Sequence, residues 1–241
     1  MKFSKANSKL QKLQKKIGRK VYSFDLLAGW TCPSAHDCLS KVVDNGGKRT
    51  VKDGKHTQFR CYAASLEAIF SSTYNSHKRN TDAVKGKSAN AVATALQAAM
   101  PKKAGVIRIH SSGDLFNKTY FKAWILLAKR LPNVTFYAYT KQIKLWVELR
   151  HLIPKNLVLT ASYGGKHDDL INQHGLKSAE VVYSREEAEQ KGIPIDEDDS
   201  YAVDPNTKRV GLLIHGVMPA GSTASKAVSK LNAERRKNTS K

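Results

Sequence analysis

Apolar and polar positions change their period several times along the chain, and each change marks an element. Residues 106–110 form a β-rich run in which apolar and polar residues alternate, and it breaks at Ser111-Ser112-Gly113-Asp114. A helical stripe follows, with Tyr120, Trp124, Leu127 and Leu131 at i, i+4, i+7 and i+11, the spacing of one core-facing side. The same grammar predicts strands over residues 21–27, 134–139, 157–161, 180–183 and 211–214. Helices are expected from Tyr62 through Leu66, Ile69 and Phe70, after Ser88 through Val92, Leu96 and Met100, and through Leu145, Trp146, Leu149 and Leu152. Ser184 and Glu187 form a capping box for a helix stopped by Gly192 and Pro194, and residues 225–236 form a basic terminal helix. Four stretches lack either period: residues 30–60 read as a long loop, 77–87 as a basic linker, 196–199 as an acidic turn or flap, and 1–20 as a basic arm. The arm has helical spacing at Leu10, Leu13 and Ile17, yet its charge predicts that it stays solvated until an anion binds.

Strands that alternate with helices give parallel sheets joined by right-handed crossovers. The expected fold class is therefore α/β, an incomplete or irregular (β/α) barrel with mostly parallel strands and basic terminal extensions, rather than a doubly wound sheet. Three parts follow: an arm over residues 1–20, a barrel-like domain over 21–220, and a basic helix or tail over 221–241. A chain of 241 residues is long enough for one full core. It contains neither G-x-x-x-x-G-K-[ST] nor G-x-G-x-x-G after a strand, so ATP-driven and nicotinamide chemistry have no support.

Charge changes the picture from fold to partner. The formal net charge is +21, from 41 Lys and Arg against 20 Asp and Glu. Residues 1–20 hold eight of the basic residues and no acid, while eight of the 20 acids fall within residues 180–199. So concentrated a positive field points to a nucleic-acid partner, DNA first, gripped through its phosphates. No stretch approaches the ~20 apolar residues of a membrane span, and the lysine-rich start lacks the apolar segment of a signal peptide. No membrane partner is expected, and the location expected is intracellular. Three cysteines fit a disulfide framework poorly and fit thiols, a metal or a cluster in a reducing compartment.

The C-terminal ends of parallel strands carry chemistry in this fold class. Those ends bring together Asp25, then His110, Ser111, Ser112, Gly113 and Asp114, then Tyr139 and Lys141, then Ser162, then His215. Asp25 and Asp114 are the pair for acid/base or nucleophilic work, since neighbours at a dehydrated mouth tune a carboxylate in either direction. Ser112 or Asp114 could equally cap the following helix. Cys32, Cys38 and Cys61 all fall between the first strand and the first helix of the domain, so they can converge. Thiolates bind zinc, for which His36 or His56 could be the fourth ligand, or an iron–sulfur cluster.

The run from Asp25 to Cys38 (Asp-Leu-Leu-Ala-Gly-Trp-Thr-Cys-Pro-Ser-Ala-His-Asp-Cys), with Cys61-Tyr62-Ala63, Arg108 to Asp114 and Ile214-His215-Gly216, resembles the bacteriophage family known as gene product 88. The resemblance implies a phage protein acting in the host cytoplasm. Cys-Tyr-Ala and the strand-terminal Ser-Gly-Asp are also similar to radical S-adenosylmethionine proteins. There, three cysteines hold a [4Fe-4S] cluster with one iron open, and a Gly-Gly-Glu-like turn meets the cofactor's amino group. Two strand-end aspartates, three cysteines and a basic surface are similar to phage transglycosylases that insert 7-deazaguanines into DNA, barrel proteins with an aspartate nucleophile and a zinc site.

The reading these resemblances favour is an enzyme, a transferase exchanging guanine in DNA for a 7-deazaguanine. In it Asp114 is the nucleophile, Asp25 the general acid/base, and His110, Lys141 and His215 hold the base or phosphate. Ser111, Ser112, Gly113, Tyr139 and Ser162 complete the substrate site, and Cys32, Cys38, Cys61 and His36 bind the metal. Two alternatives stand beside it. One is a radical S-adenosylmethionine-like iron–sulfur enzyme acting on nucleic acid or nucleotides, with Asp114 positioning the cofactor; the other is a basic DNA-binding protein without catalysis.

Overall fold

The computed structural model describes residues 1–239. Its strands are β1 (Ser4–Lys5), β2 (Val21–Phe24), β3 (Ser40–Asn45), β4 (Lys48–Asp53), β5 (Val106–Ile109), β6 (Thr135–Thr140), β7 (Leu157–Ser162), β8 (Ser178–Val182) and β9 (Arg209–Leu213). The main helices are α1 (Ser8–Ile17), α2 (Tyr62–Ile69), α3 (Ser71–Val84), α4 (Ala89–Ala99), α5 (Lys118–Arg130) and α6 (Ile143–Leu149). They are followed by α7 (Asp169–Gln173), α8 (Arg185–Gln190), α9 (Ser200–Val203) and α10 (Thr223–Thr239). Residues 240–241 of the expected basic tail lie outside the described residues.

All six strands expected from the pattern form, as β2, β5, β6, β7, β8 and β9. They pair in parallel, and their order in the sheet is their order in the chain. The sheet is open, with antiparallel β1 at one edge and β9 at the other. Both faces are covered, as parallel sheets require. On one face Ile107, Ile109, Phe136, Ala138, Leu157 and Leu159 pack against α4, α5 and α6. Trp124 of α5 is fully buried there, edge-on to Phe24 and Phe136 at 5.7 and 6.1 Å between ring centres. On the other face Val21, Val106, Tyr137 and Val158 meet Leu10 and Leu13 of α1 and Ala202 of α9. A separate cluster fastens α8 and α10 to the β8–β9 edge through Val182, Ala188, Leu213 and Leu231.

Four expectations are corrected. The arm is folded rather than solvated: β1 pairs with β2, Asn7 caps α1, and Leu10 and Leu13 are fully buried. The 30–60 stretch contains the β3–β4 hairpin, closed by Gly46 and Gly47 at φ 64° and 94°, the two-residue positive-φ turn that matches strand twist. Residues 77–84 of the supposed linker belong to α3, which buries His77, Asn80, Thr81 and Val84. The acidic 196–199 segment is not a flap, because Asp196 and Asp199 are 3% and 0% exposed. Asp199 accepts from Arg108 and Tyr137, both at 2.8 Å, and pairs with Lys9 at 2.7 Å. It thereby ties α1 to the centre of the sheet.

Candidate functional site

The loops that follow β2, β5, β6 and β7 meet at one end of the sheet. Asp25, one residue past β2, accepts from the backbone N–H groups of Ser111 and Ser112 at 2.6 and 3.3 Å and from the Ser23 hydroxyl at 2.7 Å. Asp114 does the same for β6: its Oδ1 accepts from Thr140 Oγ1 and the Leu115 N–H, and its Oδ2 from the Lys141 N–H. Burial pushes the Asp114 carboxyl up, against these three donors and the nearby Lys141 charge. Both aspartates therefore hold strand ends in place, and their acceptor positions are largely filled. Gly113 sits between them at φ 90°, and a Cβ there would stand 2.6 Å from Thr31 Oγ1 and 2.8 Å from Leu26 Cβ. Only glycine lets the Ser-Ser-Gly-Asp turn approach the cysteine loop this closely.

That loop crosses the strand ends from β2 to β7. Ala35 bridges to Gly165, and the N–H groups of His36 and Asp37 donate to the Gly164 carbonyl. Cys32 and Cys38 lie on the loop, and Cys61 stands immediately before α2. Cys61 occupies the N-cap position of α2 without a side-chain capping bond; the nearby first-turn amides of Ala63 and Ala64 favour its thiolate, yet burial pushes the thiol up to about 12. Burial also raises Cys32 well above its ordinary value, aided by the charges of Asp114, Cys61 and Cys38. Cys38 is raised by burial too, with Lys141 opposing. The charges that act on Cys32 thus include those of both other thiols and of Asp114, and the loop that carries it packs on the Ser-Ser-Gly-Asp turn through Thr31 and Gly113. Lys141 is 7% exposed and spends its ammonium on Ser162 Oγ and on the carbonyls of Ser162 and Tyr163.

Among the described residues no three His, Cys, Asp or Glu side chains are grouped so that they could hold a metal ion. The His36 Nδ1 bonds to Asp37 at 2.6 Å and its ring stacks on His56, with 4.8 Å between centres. His215 caps the mouth: its Nδ1 donates to the Leu213 carbonyl, and its ring lies over Tyr62 at 4.8 Å. Partial burial lowers its pKa, as do the charges of Lys9, Arg108 and Arg235. Tyr62 in turn donates to the Ser111 carbonyl.

Two expected site residues point elsewhere. His110, at φ 67°, turns its ring into the helix layer against Tyr120 and Trp124. Burial drops its pKa to about 3, so the imidazole sits neutral among these aromatic rings. The Ser112 hydroxyl donates to Glu67, which is 0% exposed and also receives the Ala28 N–H and His77 Nδ1. Sequence reasoning missed that hub, and it missed Arg108 and Tyr62. Arg108 lies on the face covered by α1 and α9 with Tyr137, Tyr139 and Thr160, as the register Arg108↔Tyr137 and Tyr139↔Thr160 requires. The Tyr139 hydroxyl donates to Asp196 at 3.1 Å, with the Arg108 guanidinium 5.5 Å above its ring. Arg108 Nε, Ser111 Oγ and Thr160 Oγ1 are buried with no hydrogen-bond partner, an uncommon state for polar atoms in a folded interior.

No helix is long and apolar enough to cross a membrane among the described residues. Comparison with curated proteins and with solved structures gives no match. The gene product 88 family matches over residues 1–236, from the docked arm to the last turns of α10, and the chain belongs to this phage family.

Proposed function

We propose that the protein is an iron–sulfur enzyme of the radical S-adenosylmethionine-like kind, acting on nucleic acid or nucleotides in the infected host cell. The observation that supports the reading is that both cysteine-bearing segments pack on the Ser-Ser-Gly-Asp turn: Thr31, next to Cys32, lies against Gly113, and Tyr62, next to Cys61, donates to the Ser111 carbonyl. Among the described residues the three thiols are not grouped as a ready-made metal site and would have to draw together around a cluster. A single zinc ion needs four donors at about 2.0–2.3 Å from one point; a cluster, being larger, needs thiols that surround a volume. His36 is engaged with Asp37 and His56 rather than with a thiol, which leaves a zinc ion without its expected fourth donor. Six parallel strands in chain order, with the loops of their C-terminal ends over one mouth, also suit an incomplete (β/α) barrel.

In this reading Cys32, Cys38 and Cys61 would hold the cluster, and the first-turn amides of α2 beside Cys61 would favour its thiolate. When bound, the cluster would supply one-electron chemistry. Asp25 and Asp114 fix the turn that faces it, and the unpartnered Ser111 Oγ and Arg108 Nε offer polar contacts to a ligand in the mouth. Lys141 screens the negative charge that three thiolates would build up. Base exchange on DNA is less favoured, because the nucleophile it needs, Asp114, is occupied by Thr140, Leu115 and Lys141.

The test is to incubate reduced, anaerobically prepared protein with S-adenosylmethionine and assay for 5′-deoxyadenosine. Release by the wild type and none by Cys32→Ser supports the reading. Absence of release, together with incorporation of labelled 7-deazaguanine into DNA, would replace it with base exchange.

A further inference from the structure

On the outer side of Cys32, the 29–33 loop and the β3–β4 hairpin enclose a cavity of about 390 Å3. Its wall includes Cys32, Asp53 and three lysines, Lys41, Lys52 and Lys55. Lys41 and Lys52 are direct cross-strand partners, and like charges placed directly opposite destabilise a strand pair. The opposite face of the same hairpin is built the other way, with Asp44 across from Arg49. The cavity's own carboxylate does not neutralise the lysines, since Asp53 is held by Arg60 through Nε at 3.1 Å and Nη2 at 2.6 Å. Among the described residues none of the three lysines pairs with a carboxylate. The contact Lys41 does make is over the indole of Trp30, 4.2 Å from its centre. Trp30 as a residue is 49% exposed.

A repulsive pair kept at the wall of a cavity, with an exposed aromatic face beside it, is the arrangement that an anion with an attached ring would relieve. We propose that this cavity is a phosphate subsite that takes the phosphate of a nucleotide, free or within a single strand, on Lys41, Lys52 and Lys55, with its base against Trp30. The volume is in the range of small-ligand pockets, and base stacking on an exposed aromatic ring is tolerant of sequence. Cys32 in the wall sets the bound nucleotide next to the thiol site. The subsite goes beyond the cluster reading and does not depend on it.

Trp124 and Trp146 are 0% and 8% exposed, so external quenching of tryptophan fluorescence reports Trp30. Full-length protein is titrated with adenosine 5′-monophosphate and with a short oligothymidylate, inorganic phosphate being the competitor. Saturable quenching is expected with at least one, and which of them binds tighter identifies the source of the phosphate. Lys52→Gln weakens binding about tenfold, the loss of one charge-assisted contact, without lowering the thermal midpoint, because the repulsion with Lys41 is gone. Lys155→Gln, an exposed lysine outside the cavity wall, removes the same charge and leaves affinity within about twofold, since it takes away only long-range attraction. Cys61→Ser removes a cluster ligand but no wall of the cavity and leaves binding unchanged, so failure of the cluster reading and failure of the subsite are separable. Absent saturation, equal losses in Lys52→Gln and Lys155→Gln, or loss of binding in Cys61→Ser would overturn the subsite.

Discussion

Replacing Asp199 by Asn tests how the basic N-terminal segment is held. Asp199 is fully buried; its Oδ2 accepts from Arg108 and Tyr137, and its Oδ1 meets Lys9 of α1 at 2.7 Å. Burial opposes its charge, but Arg108 and Lys9 outweigh it and hold the carboxyl below the usual carboxylate range. Asn keeps the size and the left-handed backbone, φ 64°, which Asn tolerates nearly as well as Asp. It leaves the Arg108 guanidinium, 11% exposed along its side chain, without a counter-charge. Removing one partner of a buried pair costs about 3–5 kcal/mol. At about 2–4 °C per kcal/mol for a chain this size, the midpoint falls by roughly 6–20 °C. Lys9, with its side chain 32% exposed, can turn to water and adds little. Urea unfolding followed by circular dichroism measures the loss, and amide exchange in α1 shows it loosening first. Arg108→Met with Asp199→Asn recovers most of the stability, because neither member of the pair is left as an uncompensated buried charge. A cost below about 1 kcal/mol for Asp199→Asn, the scale of a surface pair, or strict additivity in the double variant, would refute the reasoning. The pH dependence has a definite sign. A folded pKa held below the unfolded one stabilises above the ordinary carboxylate range and is lost as pH falls through the folded value, so the gap between wild type and Asp199→Asn closes in acid.

Two further outcomes follow from the site. Gly113→Ala forces a Cβ to 2.6 Å from Thr31 Oγ1 at φ 90°; it costs about 1–3 kcal/mol and, by parting the turn from the cysteine loop, lowers bound iron after anaerobic reconstitution. Because burial raises all three thiols, with Cys61 at about 12, they are protonated at pH 8 in the metal-free protein. Metal uptake there releases about three protons per chain, measurable by calorimetry in buffers of different ionisation enthalpy; release of none would mean that the thiols are not the ligands.

What was legible in the sequence was whatever local pattern alone decides. The six parallel strands are visible because both of their faces are buried, which enriches them in Val, Ile and Leu, and because the ends of four of them are marked by Asp25, Ser111, Lys141 and Ser162. The β3–β4 hairpin was hidden by Lys41, Lys48, Arg49 and Lys52, whose charges mimic a solvated loop even though Asn45-Gly46-Gly47 announces the turn. Helix α3 buries His77, Asn80 and Thr81, polar groups whose partners are far away in sequence: His77 bonds to Glu67, and Asn80 to Asp25 and Lys2. The arm was misjudged for the same reason. Its lysines meet Asp198 and Asp199 from the other end of the chain, and no local pattern records an ion pair across such a separation. His110 looked like a site residue by position, and its left-handed backbone, which the sequence does not betray, turned it inward.

The central claim is that Cys32, Cys38 and Cys61 share one iron–sulfur cluster. Iron and acid-labile sulfide analysis with a visible spectrum, on protein purified without oxygen, tests it most directly. The account expects about four iron and four sulfide per chain and a broad visible absorption, both lost in each Cys→Ser variant. A colourless protein carrying one zinc, or iron that survives all three substitutions, would contradict it.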